Sequence, residues 1–197
     1  MNCLGNGLNE AGHYGDAVTV QEADVSMKRR IGAPEYDIIS AQSNLANTYQ
    51  KLGRHEQALI MRPDLYSRTS KLFGEESKEA LMEAINYSAA LLSVKRYKEA
   101  KALLRKMIPV AQRIFGTDDE NTLTTRWNYA ITLYQDSTAT LDDLREAVTT
   151  LEAMERFVPR VFGGTHPIAV GIERSLRNAQ TVLSAREAGE DVVWVKP

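Results

Sequence analysis

The stretch that decides the fold is residues 86–116, NYSAALLSVKRYKEAKALLRKMIPVAQRIFG, because its pattern recurs on both sides of it at a fixed interval. An asparagine that opens a small-residue segment stands at Asn44, Asn86 and Asn128, at intervals of 42 residues. A glycine preceded by a large apolar residue stands at 32, 74, 116 and 163, at intervals of 42, 42 and 47 residues. Such a period predicts a repeat architecture.

A third series has the same phase. Ala58, Ala100 and Ala147 each lie 16 residues before one of the glycines. The last copy is five residues longer than the others, and the extra length falls in DSTATLDD, residues 136–143. Because Ser, Thr and Asp favour turns and helix N-caps, we expect this insertion to lie in a loop between two helices.

Each repeat is predicted to contain two helices, here called helix A and helix B. Leu45, Tyr49 and Leu52 follow one another at spacings of four and three, as residues on one helical face do. One position stays small, in Ala46, Ser88 and Ala130, which allows close packing of neighbouring helices. The expected A helices are 36–52, 78–94 and 120–135, and the expected B helices are 55–72, 97–114 and 142–161.

Both ends of the chain depart from the repeat. Residues 1–15 have little helical pattern, although Gly12 to Ala17 matches the turn at Gly53 to Ala58, and a helix is expected from 16 to 30. A final helix at 167–188 carries Arg177 where the repeats have a small residue, which favours a solvating cap. Beyond it, Trp194 either packs back on this helix or is free.

The predicted organisation is one array with a short tail. It consists of a partial repeat at 1–32, full repeats at 33–74, 75–116 and 117–163, a capping helix at 164–188 and a tail at 189–197. Proline occurs inside the B helices at Pro63, Pro109 and Pro159, where it removes a backbone hydrogen bond. We therefore expect kinked or divided B helices. Gly32 is expected to close the helix before it in the left-handed conformation, and Gly74, Gly116 and Gly163 are expected to be C-cap glycines.

Composition narrows the function classes. The chain has 197 residues, 43% of them hydrophobic and 25% charged, so it can bury a core. Its formal net charge of -2 disfavours a nucleic-acid partner. The single cysteine, Cys3, excludes a disulfide within the chain, and no apolar run approaches the length of a membrane span. We expect a cytoplasmic protein that binds no membrane.

No residue pattern indicates catalysis. His55 and His166 occupy repeat positions, and His13 lies in the irregular start, so that no metal-ligand spacing is formed. No serine, cysteine or aspartate lies in a recognisable nucleophile motif. We expect no enzyme activity, no cofactor and no metal.

At this point the repeat resembles a known family, the tetratricopeptide repeats of the kinesin-light-chain type. The resemblance covers residues 12 to about 188, and it departs from the pattern at Lys95, which replaces the turn glycine. It implies an all-α, right-handed superhelix of helix pairs. The residues that carry it are Asn44, Leu45, Ala46 and Tyr49 in helix A, Gly53, His55 and Ala58 at the turn, and Phe162, Gly163, His166 and Pro167 at the close.

The resemblance also implies a binding site. In the family the A helices line a concave groove, and the recurring asparagine faces a peptide or partner helix. Ser175 takes the asparagine position in the cap, and Trp127 is the expected hydrophobic anchor. Carried over by position, the groove residues are Asn44, Asn47, Met82, Ile85, Asn86, Ala89, Thr124, Trp127, Asn128 and Ile131.

Structural roles compete with these assignments. The asparagines are equally suited to bonding backbone groups between repeats, and Trp127 and Met82 to filling the inter-repeat core. With Ser40, Ser43, Asn44 and Asn47 the first repeat is polar, whereas the later repeats are apolar, so a ligand with one polar end and one hydrophobic anchor is expected.

Two functions remain open. The leading hypothesis is a non-catalytic scaffold or adaptor that binds a protein or peptide. The alternative is a fragment or subunit of a longer array that forms homo-oligomers through an uncapped N-terminal end.

Overall fold

The structure is a computed structural model that describes residues 2–189 of the chain, with side chains from residue 4 onward. Within these residues it contains nine α-helices and no strand, which confirms the predicted all-α class. The helices are α1 (Asn2–Glu10), α2 (Tyr14–Arg30), α3 (Glu35–Lys51), α4 (His55–Phe73), α5 (Lys78–Ser93), α6 (Tyr97–Phe115), α7 (Glu120–Gln135), α8 (Leu141–Phe162) and α9 (Pro167–Glu187).

The helix boundaries follow the repeat closely. Helices α3, α5 and α7 are the predicted A helices, and α4, α6 and α8 are the predicted B helices, each beginning and ending within one residue of its expected position. The five-residue insertion lies between α7 and α8, as expected. Periodicity therefore sufficed to place the central helices.

The chain divides into two compact units, Met1–Val94 and Lys95–Pro197. In the first unit each helix packs against the next one along the chain, and α3 also contacts α1 and α5. In the second unit α6 to α9 pack in the same consecutive order, and α7 also contacts α9. Within each unit, then, the first helices of successive pairs touch one another.

The small position is buried in all three repeats. Ala46, Ser88 and Ala130 have no exposed surface, and Ala46 packs with Leu65 of the helix that follows it. Arg177 at the same position in α9 keeps 68% of its side chain exposed. The small residue thus occurs on helices whose face at this position is buried, and the charged residue occurs on α9, where the side chain at this position is exposed.

Side chains and glycines define the helix ends. Thr140 Oγ1 accepts a hydrogen bond from Asp143 N at 3.1 Å, and the Asp143 carboxylate accepts one from Thr140 N at 3.2 Å, which forms a capping box in the insertion. Gly74 and Gly116 have φ of 98° and 92° with ψ of 149° and 167°. These glycines close helices as expected, with positive φ and a ψ of 149–167°, a backbone region that is essentially restricted to glycine.

Two expectations about helix continuity differ from the structure. Helices α4, α6 and α8 run through Pro63, Pro109 and Pro159 without being divided, so division, one of the two expected outcomes, does not occur, and a kink stays a prediction. Residues 2–10, which have little helical pattern, form α1 and pack against α2. Packing on a neighbouring helix outweighs weak local propensity in both cases. Trp194 and the rest of 190–197 lie outside the described residues.

Lys95 is the one non-glycine residue with positive φ in the described part of the chain, at 61°. At the equivalent turn Gly53 has φ of 76°. A side chain in this conformation costs on the order of 1 kcal/mol, because Cβ approaches the following carbonyl oxygen.

We therefore expect Lys95→Gly to raise the free energy of unfolding by about 1 kcal/mol in urea titrations. Lys98→Gly removes the same charge from the first turn of α6 and should lower stability by up to about 1 kcal/mol. Equal losses in both variants would contradict a strained turn at Lys95.

Candidate functional site

The predicted groove residues of the first unit lie on α3 and α5, two A helices in contact with each other. Asn44 and Asn86 are half-buried at equivalent positions on these helices. Met82 keeps 37% of its surface exposed, Ala89 is half-buried, and Ile85 is 9% exposed. This face offers amide groups beside a short apolar side chain and an exposed thioether.

The interior beneath this face contains a buried arginine. Arg62 of α4 has no exposed surface. Its Nη1 donates to Ser43 Oγ at 3.2 Å and to Glu83 Oε2 at 3.3 Å. Its Nη2 donates to Asn47 Oδ1 at 2.5 Å and to Gln50 Oε1 at 3.3 Å. One guanidinium therefore joins α3, α4 and α5, and we call these five residues the Arg62 cluster.

Arg62 stays positively charged although it is fully buried. Burial lowers the pKa of the guanidinium below its ordinary value, and the nearby Glu83 carboxylate opposes this shift. The ordinary pKa of arginine is so high that the group stays protonated in the cluster. Arg62 Nε is buried without a hydrogen-bond partner, so not all of its donors are satisfied.

The Arg62 cluster gives Ser43 and Asn47 an internal role. Both were grouped with the polar half of the groove, yet both accept hydrogen bonds from a side chain inside the unit. That Asn47 also contacts a ligand stays a prediction. The polarity of these two positions has a cause that requires no ligand.

In the second unit, Trp127 of α7 packs against α9. Its indole Nε1 donates to Ser175 Oγ at 2.8 Å. A Cβ atom placed on Gly171 would lie 2.2 Å from Trp127 Cη2, which is far inside van der Waals contact. The indole thus lies directly on the backbone of α9, and Ser175, at the position of the recurring asparagine, holds its polar edge.

The other predicted residues of the second unit remain partly accessible. Thr124, Asn128 and Ile131 are half-buried along α7. They lie on the same helix as Trp127, one turn before it, beside it and one turn after it. The packing of Trp127 on α9 matches the inter-repeat role that competed with its role as an anchor.

Sequence comparison identifies the repeat. Residues 38–77 and 84–121 match the sequence model of the tetratricopeptide repeat family. The chain carries tetratricopeptide repeats. No curated protein is significantly similar to it in sequence.

Solved structures share the fold of these tetratricopeptide repeats. Two crystal structures are of a Podosopora anserina protein described as a kinesin light chain with nearly identical TPR-like repeats. The first, of a variant, has a TM-score of 0.77 at 17% identity and covers 94% of this chain and 85% of that one. The second has a TM-score of 0.75 at 18% identity and covers 94% and 86%.

A third structure comes from P. vanneervenii. BtubC (BKLC) has a TM-score of 0.67 at 13% identity and covers 98% of this chain and 82% of that one. Together these likenesses confirm the kinesin-light-chain-like tetratricopeptide fold predicted from the repeat. At such identities they bear on the fold alone.

Neither a metal site nor a membrane span is formed by the described residues. Among residues 4–189, no three His, Cys, Asp or Glu side chains come together as a metal site would require. None of the described helices combines the length and the apolar character needed to cross a membrane.

Two residues that are important in the structure, Arg62 and Gly171, were not predicted from the sequence. Arg62 stands where the next two repeats have Leu104 and Leu151, both fully buried. A charged residue at a periodic apolar position was a signal that could have revealed the cluster. Gly171, a glycine inside a predicted helix, was the signal for the close approach of Trp127.

We expect Gly171→Ala to destabilise the protein by about 1–3 kcal/mol, because the added methyl group displaces the indole of Trp127. The tryptophan fluorescence spectrum should change together with the midpoint of urea unfolding. Gly15→Ala is the matched control, since Gly15 is also inside a helix and a Cβ atom there meets nothing within 4 Å. A Gly171→Ala variant as stable as this control would contradict the close contact.

Proposed function

We propose that this chain is a non-catalytic scaffold or adaptor that binds a protein partner through the exposed faces of its A helices. Arrays of tetratricopeptide repeats offer extended surfaces of this kind to peptides and partner helices. The observation that carries the proposal is the recurrence of a half-buried asparagine at one position of α3, α5 and α7.

An asparagine at such a position suits the recognition of an extended peptide. Its carboxamide both donates and accepts, so it pairs with a backbone amide whatever the side chain of the ligand. In the first unit, Asn44 and Asn86 are supplemented by the exposed Met82, whose flexible thioether adapts to varied apolar side chains. In the second unit, Asn128 lies beside Thr124 and Ile131.

The ligand favoured by this arrangement is a peptide or helix with apolar side chains. Ser43 and Asn47 accept hydrogen bonds from Arg62, and Trp127 donates one to Ser175 of α9. The expectation of a ligand with one polar end and one hydrophobic anchor at Trp127 therefore loses its main support. We therefore assign recognition to the asparagines and Met82. The expected cytoplasmic location and the exclusion of nucleic acid stay predictions.

The proposal is tested with a displayed library of random peptides selected on the folded protein. Peptides that bind should lose affinity on the order of tenfold or more for Asn44→Ala/Asn86→Ala, since each lost hydrogen bond costs about 1 kcal/mol. Binding is measured by fluorescence anisotropy with labelled peptides.

Gln57→Ala provides the control, because Gln57 is an exposed amide on α4 in the same unit. It should leave the affinity unchanged. Selected peptides that bind the double asparagine variant as well as the native chain would place the site elsewhere and contradict the proposal, as would a library that yields no binder.

A second candidate function is self-association through the N-terminal end. Leu4 on α1 is 60% exposed. Asn9 Oδ1 on the same helix and both polar atoms of the Gln21 side chain on α2 are buried without a partner. A loosely held α1 would leave α2 open to a second copy. Sedimentation as a monomer at all concentrations would exclude this function.

A further inference from the structure

Met82 of α5 is the exposed methionine in the part of the chain that the structure describes. It keeps 37% of its surface exposed, whereas Met107 and Met154 keep 1% each. Met27 and Met61 are half-buried. A reagent in solution therefore reaches the side chain of Met82 more readily than that of the other described methionines.

The exposure of Met82 is local to one position of α5. The flanking residues Leu81 and Glu83 are buried, and so are Ala84 and Ile85, which follow them. Among residues 79–92, Met82 is the only exposed one. A chemical change at the end of this side chain therefore alters the surface of α5 and leaves the core unchanged.

The repeat does not require an apolar residue at this position. Ser40 of α3 and Thr124 of α7 occupy the equivalent positions, and both are half-buried. Met82 thus adds apolar surface that the other two A helices do not have. It lies one turn before Asn86, on the face assigned above to partner binding, where its thioether is suited to contact apolar side chains of a ligand.

The thioether of an accessible methionine reacts with hydroperoxides. The sulfur lone pair attacks one oxygen of hydrogen peroxide, the S–O bond forms as the O–O bond breaks, and the proton of the attacked oxygen moves to the other, which leaves as water. The sulfur is oxidised by two electrons and the peroxide is reduced by two, so one methionine and one hydrogen peroxide give one methionine sulfoxide and one water. The step uses no other group of the protein, and access decides which methionine reacts.

Oxidation changes what the A-helix face can bind. The sulfoxide is polar, and its oxygen accepts hydrogen bonds. An apolar ligand side chain packed on the sulfoxide of Met82 would separate this oxygen from water without offering a donor, which costs binding free energy. In the free chain the same oxygen is solvated, because Met82 is exposed. Oxidation at Met82 therefore affects binding and spares the fold.

We propose that Met82 is a site of reversible oxidation by hydroperoxides, and that its sulfoxide weakens the binding of an apolar ligand to the A-helix face of the first unit. This inference rests on the proposed function, because it requires a ligand in contact with Met82. It adds a redox response to that function. Enzymatic reduction of the sulfoxide restores the thioether and, with it, the affinity.

The first measurement follows the oxidation itself and needs no ligand. The native chain is treated with hydrogen peroxide and digested, and mass spectrometry gives the extent of oxidation at each methionine. Met82 should react about tenfold faster than Met107 and Met154, and the difference should vanish in urea. A Met82 that reacts no faster than these two buried methionines overturns the proposal.

The second measurement uses peptides selected on the native chain. Fluorescence anisotropy should show an affinity about tenfold lower for the chain oxidised at Met82, with unchanged circular dichroism and with recovery after treatment with methionine sulfoxide reductases. Met82→Leu should bind the peptides and no longer respond to peroxide. Met61→Leu, which removes a half-buried methionine of the same unit, should respond as the native chain does.

The outcomes separate the redox response from the function on which it rests. Peptides that keep their affinity for the chain oxidised at Met82, but lose it for Asn44→Ala/Asn86→Ala, would overturn the redox response and leave the proposed function standing. A response to peroxide that persists in Met82→Leu would place the reactive group elsewhere and would also overturn it. A library that yields no binder would overturn both.

Discussion

The buried guanidinium of Arg62 constrains the first unit more than any other single group. A charge without exposed surface must be surrounded by acceptors, and α3 and α5 supply them from Ser43, Asn47, Gln50 and Glu83. These side chains are therefore committed to the interior.

In the second unit an aromatic side chain makes the equivalent contact between A helices. Trp127 stands 84 residues after Ser43, at the same repeat position, and it packs on the backbone of α9 at Gly171. The same repeat position thus holds a member of the polar Arg62 cluster, Ser43, in the first unit and the indole of Trp127, packed on Gly171, in the second. In both units the side chain at this position has a partner inside the fold.

Periodicity determined most of the fold. The phase shared by Asn44, Asn86 and Asn128, together with the closing glycines, placed the central helices within one residue, because backbone period and loop length are local properties of a sequence. Side-chain partners are not local. The pairing of Arg62 with Glu83, 21 residues away, and that of Trp127 with Ser175, 48 residues away, depend on how helices cross. The same holds for α1, whose helical state depends on packing against α2.

The central claim is that Ser43, Asn47, Gln50 and Glu83 are polar because they satisfy Arg62, and a transplant of side chains tests it most directly. The next repeat has Ile85, Ala89, Leu92, Leu104 and Thr125 at the five positions of the Arg62 cluster.

The free energy of unfolding would be measured in urea for Arg62→Leu alone and for Arg62→Leu combined with Ser43→Ile, Asn47→Ala, Gln50→Leu and Glu83→Thr. The single variant should lose about 3–5 kcal/mol, because a buried carboxylate and three other polar side chains lose their partner, and the five-fold variant should recover most of that loss. A five-fold variant no more stable than the single one would show that these polar residues are retained for another reason, and would contradict the account.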